Sequence, residues 1–241
     1  LKAVVLAGGR GTRGRPFTDY IPKAMIPIHG KPLIYHIVRH LSSFKIIDEV
    51  IILADFDGLG KQIERYFENH SEIKKPLRFI QDSQSGTGGD LVHLEKALSK
   101  ESEFLLWFVD NLTPLDVKDM YQYHMKKNTL ATIATRKYRR EETGYAIVEE
   151  GVVVEFKEKP TIMLEMAECL GIYILDTKIL DIIKSRKTRK EMNLSYDILQ
   201  PLSKKGKISA YDIGKQPWID VDSPSRVERE KDLVDAIVRE L

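Results

Sequence analysis

An α/β fold with a mostly parallel sheet flanked by helices is predicted by three features of this sequence. Strand-like and helix-like segments alternate through its first half. The first apolar run opens directly into a glycine-rich loop. The 241 residues, 42% of them hydrophobic, are enough for one large domain with a substantial core.

The elements follow from the pattern in chain order. Residues 2–7, Lys2-Ala3-Val4-Val5-Leu6-Ala7, carry no charge after Lys2 and read as a buried strand. Helical spacing follows over 32–44, then a strand over 49–54, a helix over 58–68, a strand over 77–81 and a helix over 89–99. A strongly apolar strand over 103–109 and a helix over 115–127 complete the alternation, the signature of parallel strands joined by crossover helices. Beyond residue 130 strands dominate, over 130–137, 145–149, 152–157 and 170–175. A helix near 177–184 precedes the basic stretch Ser185 to Asn193, which reads as an exposed loop. A helix near 195–203, a strand near 207–212 and a long helix from 223 close the chain. There is no internal repeat and no low-complexity tract.

Composition removes several classes of function. The formal net charge is +2, too small for the broad basic field of a nucleic-acid binder. Cys169 is the only cysteine, so no disulfide framework or cysteine metal cluster can form. No apolar stretch approaches the ~20 residues of a membrane-spanning helix, and the first segment reads as a strand rather than a signal peptide. The cytoplasm is the expected compartment, with no membrane or nucleic-acid partner, and a homo-oligomer is compatible with the sequence. His36 and His40 lie four apart on a helix, but no third ligand accompanies them, so packing is the expected role.

The loop after the first strand holds four glycines and three arginines over Gly8 to Arg15. Glycines admit backbone N–H groups close to an oxyanion, and arginines offer forked donors that fit phosphate oxygens. Such a loop at the carboxyl end of a first strand is a phosphate site. Gly9-Arg10-Gly11-Thr12-Arg13-Gly14 fits the dinucleotide pattern G-x-G-x-x-G literally. That pattern needs a helix starting within it, and Pro16, Pro22 and Pro27 forbid one. A Walker A loop is excluded because no Gly-Lys-Ser/Thr follows.

Three linked blocks then agree: Leu6-Ala7-Gly8-Gly9-Arg10-Gly11-Thr12-Arg13 with Pro16-Phe17-Thr18, Pro22-Lys23-Ala24-Met25-Ile26-Pro27, and Gly30-Lys31-Pro32. Together they resemble the signature of the sugar-1-phosphate nucleotidyltransferases, the NDP-sugar pyrophosphorylases. The resemblance covers nearly the whole chain and implies a Rossmann-like core with a sugar-binding portion inserted and appended. On that basis 1–241 is a single nucleotidyltransferase domain, with a nucleotide-binding half over 1–128 and a sugar- and metal-binding half over 129–241. Many relatives carry a C-terminal β-helix of hexapeptide repeats. None follows here, so neither acyltransfer nor β-helix trimerisation is expected.

The implied partners are a nucleoside triphosphate and a sugar 1-phosphate, and the implied cofactor is Mg2+. The nucleophile would be a phosphate oxygen that is already anionic, so no general base is sought. The demand is charge neutralisation and alignment of two anions. Arg13 and Lys23 match the family's catalytic cations. Leu6, Ala7, Gly8, Gly9, Gly11 and Thr12, with Arg13, match its nucleotide-binding loop. Gln81, Gly86 and Thr87 fall in the stretch that reads the base. Tyr145, Glu158, Lys159 and Gly171 match its sugar-phosphate segments. Asp110 ends the apolar strand over 103–109, and Asp220 lies in Trp218-Ile219-Asp220-Val221-Asp222-Ser223-Pro224, which resembles the family's last motif. These two aspartates match its metal ligands, while Asp222 is expected to cap the helix beginning near Pro224.

The chain departs from the family at Gly14, usually leucine, at Val109 and Asp222, usually glycine, at Asp90, usually small and apolar, and at Ala146, where glycine is common. The charged set Arg13, Lys23, Asp110, Lys159 and Asp220 is complete. The pattern is closest to mannose- or heptose-1-phosphate guanylyltransferases, with glucose-1-phosphate thymidylyl- or uridylyltransferases next. A nucleotide-sugar-binding protein without turnover is the alternative of a different class.

Overall fold

The computed structural model describes residues 1–9, 11–68, 72–186 and 191–241. Its centre is a seven-stranded sheet. The first four strands are β1 (Lys2–Leu6), β2 (Glu49–Ala54), β3 (Leu77–Gln81) and β4 (Glu103–Phe108). They are mutually parallel in the order β3-β2-β1-β4. Strand order reverses between β1 and β4, and the loops leaving those two strands diverge there into a crevice, where ligands of open α/β sheets bind.

The second half supplies β5 (Ala131–Arg140), the hairpin β6 (Tyr145–Glu149) and β7 (Val152–Lys157), then β8 (Thr161–Asp176) and β9 (Ile208–Asp212). β8 pairs antiparallel with both β4 and β5, and β9 extends the sheet parallel to β5. The sheet is therefore mixed but mostly parallel, as the alternation predicts, and no β-helix occurs among the described residues.

Alternation along β1 explains why both faces are covered. Ala3 and Val5 face one core with α1 (Leu33–Ser43), while Val4 and Leu6 face another built from Leu91, Leu94, Ile179 and Ile198. All four of these β1 side chains are buried. On α1, His36 and His40 turn inward, where each Nε2 donates to a carbonyl, that of Ile28 and that of Leu115. Burial lowers both pKa values, as packing histidines require.

Several boundaries differ from expectation. The helix over 89–99 is three short turns, Gly86–Gly89, Asp90–Leu94 and Glu95–Leu98. Its glycines propagate a helix poorly, and the Asp90 side chain bonds backward to the loop before it. The strand expected over 170–175 is the last part of a 16-residue strand. Register shifts at Met163/Glu168 and Cys169/Tyr173 break its period of two, so its first half is not legible from alternation. The terminal helix is two, Pro224–Arg229 and α2 (Lys231–Glu240). Within the Ser185–Asn193 loop, residues 187–190 lie outside the described residues, but Met192 is buried and bonds Ser85 through its backbone. No helix among the described residues is long and apolar enough to cross a membrane.

Gly171 sits at the second register shift of β8 with φ +66°, and a Cβ there would lie 2.6 Å from Asn111 Nδ2. Gly171→Ala should cost about 2–3 kcal/mol, combining the left-handed backbone with displacement of Asn111. Thermal denaturation should show a fall of roughly 4–12 °C; an unchanged Tm would mean that Asn111 has room to yield.

Candidate active site

The loop leaving β1 and the turn leaving β4 form the two sides of one cleft. Its walls include Leu6, Ala7, Gly8 and Gly9 from the first, with Phe108, Val109 and Asp110 from the second. Lys23, Gln84, Gly86, Thr87 and Asp90 complete most of the lining of a cavity of about 230 Å³. The glycine loop and Lys23, one of the two cations expected to be catalytic, thus converge with the segment expected to read the base.

The loop after Gly9 is pinned rather than free. Gly11 has φ +60°, and Thr18 Oγ1 donates to its carbonyl at 2.6 Å. Thr12–Gly14 forms a single 3-10 turn. A Cβ on Gly14 would lie 2.7 Å from Thr18 Cγ2 and 3.2 Å from the Asp222 carbonyl, which accounts for glycine where the family has leucine. Arg13 projects outward, 62% exposed, with Nη1 at 3.4 Å from Asp220 Oδ2 and 3.3 Å from Asp222 Oδ2. Arg10 lies outside the described residues.

Lys23 starts a 3-10 turn held between Pro22 and Pro27. Its Nζ is 2.9 Å from Asp110 Oδ2. The other Asp110 oxygen accepts from Asn111 Nδ2 at 2.8 Å. Asn111 begins the short strand Asn111–Leu112, which pairs antiparallel with Ile219–Asp220 and sets Asp220 opposite Asn111. The Val221 N–H donates to the Asp110 carbonyl at 2.6 Å, closing the junction. Asp110 and Asp220, far apart in sequence, therefore become neighbours.

Burial, and then the negative charge of Asp110, push the Asp220 carboxyl above its ordinary range. Its Oδ1 is buried and has no hydrogen-bond partner among the described residues. Two crowded carboxylates with one unsatisfied buried oxygen suit a divalent cation, and magnesium accepts one or two protein carboxylates with phosphate and water oxygens. Asp222 does not cap the following helix. Ser223 does, its side chain accepting from the Arg226 N–H, while Asp222 accepts from Ser223 Oγ and faces Arg13.

The remaining expected residues lie in different surroundings. Thr87 Oγ1 accepts from the Leu194 N–H while Thr87 lines the cleft. Gln81 is not on the cleft wall. Its amide bonds Asp55, the Asp57 N–H and the Asp82 carbonyl, whereas Gln84 takes the place on the wall. Tyr145 lies on the exposed β6–β7 hairpin, with Glu158 and Lys159 just beyond it, and Gly171 lies against Asn111. None of the four lines the cleft: Tyr145, Glu158 and Lys159 lie on or beside a hairpin with both strands exposed, and Gly171 lies in the sheet against Asn111. Sequence reasoning missed Asn111 and Asp82. The asparagine beside an expected metal ligand was a usable signal for the first; nothing local marks the second.

Asp82 follows β3 and lies beneath the glycine loop. A Cβ on Gly8 would be 1.8 Å from its Oδ2, so only glycine fits there. Asp82 is 5% exposed, and neither oxygen takes a hydrogen bond of normal geometry among the described residues. Burial, together with the charges of Asp90 and Asp55, pushes its pKa up to about 6.

Residues 2–232 match the family model described as nucleotidyl transferase. The chain is 28% identical over 243 residues to a bifunctional protein GlmU of Methanocaldococcus jannaschii, covering 98% of this chain and 55% of that protein. It is 28% identical over 233 residues to a mannose-1-phosphate guanyltransferase of Aspergillus oryzae, covering 93% and 61%. It thus spans little more than half the length of these curated relatives. Among solved structures, a UDP-glucose pyrophosphorylase complexed with UDP-glucose superposes with a TM-score of 0.71 at 25% identity, covering 100% of this chain and 99% of that one.

The raised Asp82 pKa carries a sign for stability. The protonated form is favoured in the fold, so its stabilisation is complete below pH ~4 and is lost as pH rises through about 6. Asp82→Asn removes that loss, worth about 3 kcal/mol. Its Tm should equal the parent's near pH 4 and exceed it by roughly 6–12 °C at pH 8; a gap independent of pH would assign the effect to packing.

Proposed function

Since this chain belongs to the nucleotidyl transferase family, we propose that it joins a nucleoside triphosphate to a sugar 1-phosphate, releasing pyrophosphate, with GTP and mannose 1-phosphate as the favoured pair. The observation that carries this reading is the array at the cleft, where Lys23 meets Asp110 and Arg13 meets Asp220. Cations and carboxylates alternate there within salt-bridge distance, beside a glycine loop. Relatives whose names include mannose-1-phosphate guanyltransferase support the choice of base and sugar.

The chemistry needs little from the protein beyond alignment and charge. A sugar-phosphate oxygen attacks the α-phosphorus, a new P–O bond forms, and the bond to the bridging oxygen of the departing pyrophosphate breaks. Both reactants are anions, so their approach must be neutralised. Lys23 is half-buried between two prolines and would hold the α-phosphate against the incoming phosphate. Arg13 is exposed at the loop's outer edge and would grip the β and γ phosphates. Asp110 and Asp220 would hold Mg2+, which supplies further neutralisation of phosphate charge when bound. Asn111 and Lys23 hold Asp110 from either side in the required orientation. A reaction drawing on nucleoside triphosphates and sugar phosphates fits the cytoplasm.

A pyrophosphate-release assay crossing GTP, dTTP, UTP, CTP and ATP with mannose, glucose, galactose and N-acetylglucosamine 1-phosphates should give its strongest signal with GTP and mannose 1-phosphate, and only with magnesium. A dominant signal with dTTP or UTP and glucose 1-phosphate would move the assignment to that activity. Silence across the grid with retained nucleotide binding would favour a non-catalytic binder.

Asp110→Ala and Asp220→Ala should each abolish magnesium-dependent turnover while circular dichroism and cooperative unfolding stay intact. Lys23→Ala should lower kcat by about 10²–10³-fold. Full activity in either aspartate variant would overturn the metal assignment.

A further inference from the structure

Asp90 is a buried carboxylate on the wall of the nucleotide cleft, at a position where the resembling family carries a small apolar residue. It is 6% exposed, yet it lines the cavity beside Gly86 and Thr87. Its Oδ1 accepts from the Ser83 N–H at 3.1 Å and from Ser83 Oγ, the Ser85 N–H and Ser85 Oγ at 3.0 Å. Two backbone N–H groups and two hydroxyls converging on one oxygen fix the carboxylate in orientation. Among the described residues Oδ2 takes no hydrogen bond, so it remains available to whatever enters the cleft. A buried anion with one oxygen saturated and the other open is costly unless a ligand donor meets it.

The cleft's two flanks separate the tasks. Lys23 and Asp110 stand with the turn leaving β4, where the reacting phosphate belongs. Asp90 follows β3, on the other side of the β1 loop in the strand order. The group reaching Asp90 is therefore the nucleobase rather than the phosphates, which an anion would repel.

Base chemistry then selects among candidates. Uracil and thymine present one N–H between two carbonyl oxygens, and those oxygens repel a carboxylate. Adenine and cytosine present an amino group beside a ring-nitrogen lone pair. Guanine alone presents two adjacent donors, N1–H and the 2-amino group, with no acceptor between them. We propose that Asp90 Oδ2 is the acceptor for the guanine N1–H and 2-amino edge, and that this residue makes the site selective for a guanine nucleotide. The inference rests on the nucleotidyl transferase reading of the cleft and assigns its base.

The test is equilibrium binding of GTP, ITP, ATP and UTP to the full chain, by titration calorimetry, for the parent, Asp90→Ala and Asp90→Asn. ITP lacks only the 2-amino group. The parent should bind GTP about 10- to 100-fold more tightly than ITP. Asp90→Ala should bring GTP to within about threefold of ITP, weakening GTP more than ITP because ITP shares only the N1–H, while ATP and UTP bind no more weakly than to the parent, showing an intact cleft. Asp90→Asn keeps a side-chain oxygen for the Ser83–Ser85 loop but loses the charge, and should likewise lose most of the preference. Equal binding of GTP and ITP by the parent, tighter binding of UTP, or a preference that survives Asp90→Ala would overturn the assignment and leave the nucleotide reading standing. Should Asp90→Ala fail to fold, the parent's GTP-to-ITP ratio and the Asp90→Asn variant decide the matter. Failure of every nucleotide to bind the parent would overturn the reading of the cleft itself.

Discussion

One asparagine holds the cleft end of this protein together. Asn111 stands at the carboxyl end of the strand running from Glu103 to Phe108, next to Asp110. Its carbonyl accepts from Trp107 Nε1 at 2.7 Å, its Oδ1 accepts from Trp218 Nε1 at 3.0 Å, and its Nδ2 donates to Asp110. Gly171 leaves the space the side chain occupies. These contacts set the segments around residues 171 and 218, distant in the chain, against the turn that leaves this strand. The short antiparallel pairing that delivers Asp220 follows directly from those contacts. Each bond satisfies a buried polar group that would otherwise cost stability, so the geometry is enforced by more than its own few kcal/mol.

Electrostatics gives the site its bias. Asp110 and Asp220 repel each other, and Lys23 and Arg13 offset that repulsion from opposite sides. The cations are thus held where phosphate oxygens would compete with carboxylates for them. Beneath the glycine loop, Asp82 and Asp90 form a second acidic pair with different settings. Asp90 is supported by four donors on one oxygen, while Asp82 has none of normal geometry and is driven toward its neutral form.

Departures from the family pattern become coherent in three dimensions. Gly14 stands where a Cβ would crowd the Thr18 side chain and the Asp222 backbone carbonyl. The Asp222 carboxylate adds a second partner for Arg13. Val109 is buried in the cleft wall and continues the pairing of its strand through a bond to the Leu6 carbonyl. None of these changes removes a charged group from the array.

The sequence by itself determined the parallel half of the sheet, because the strands over 2–6, 49–54 and 103–108 are buried on both faces and read as short apolar runs between helical patterns, with the partly exposed edge strand over 77–81 beside them. It also determined the glycine-rich loop and the prolines around Lys23, since glycine and proline impose local backbone conformation whatever surrounds them. The first part of the long strand from Thr161 to Asp176 escaped, because its two register shifts erase the alternation that marks a strand. Only the tertiary structure could set Asp220 beside Asp110, turn Gln81 from the cleft and put Gln84 on its wall. It alone could leave one oxygen of Asp90 open. Each of those outcomes depends on where a buried polar atom finds its partner, and those partners come from segments remote in the chain or from a loop whose path only packing decides.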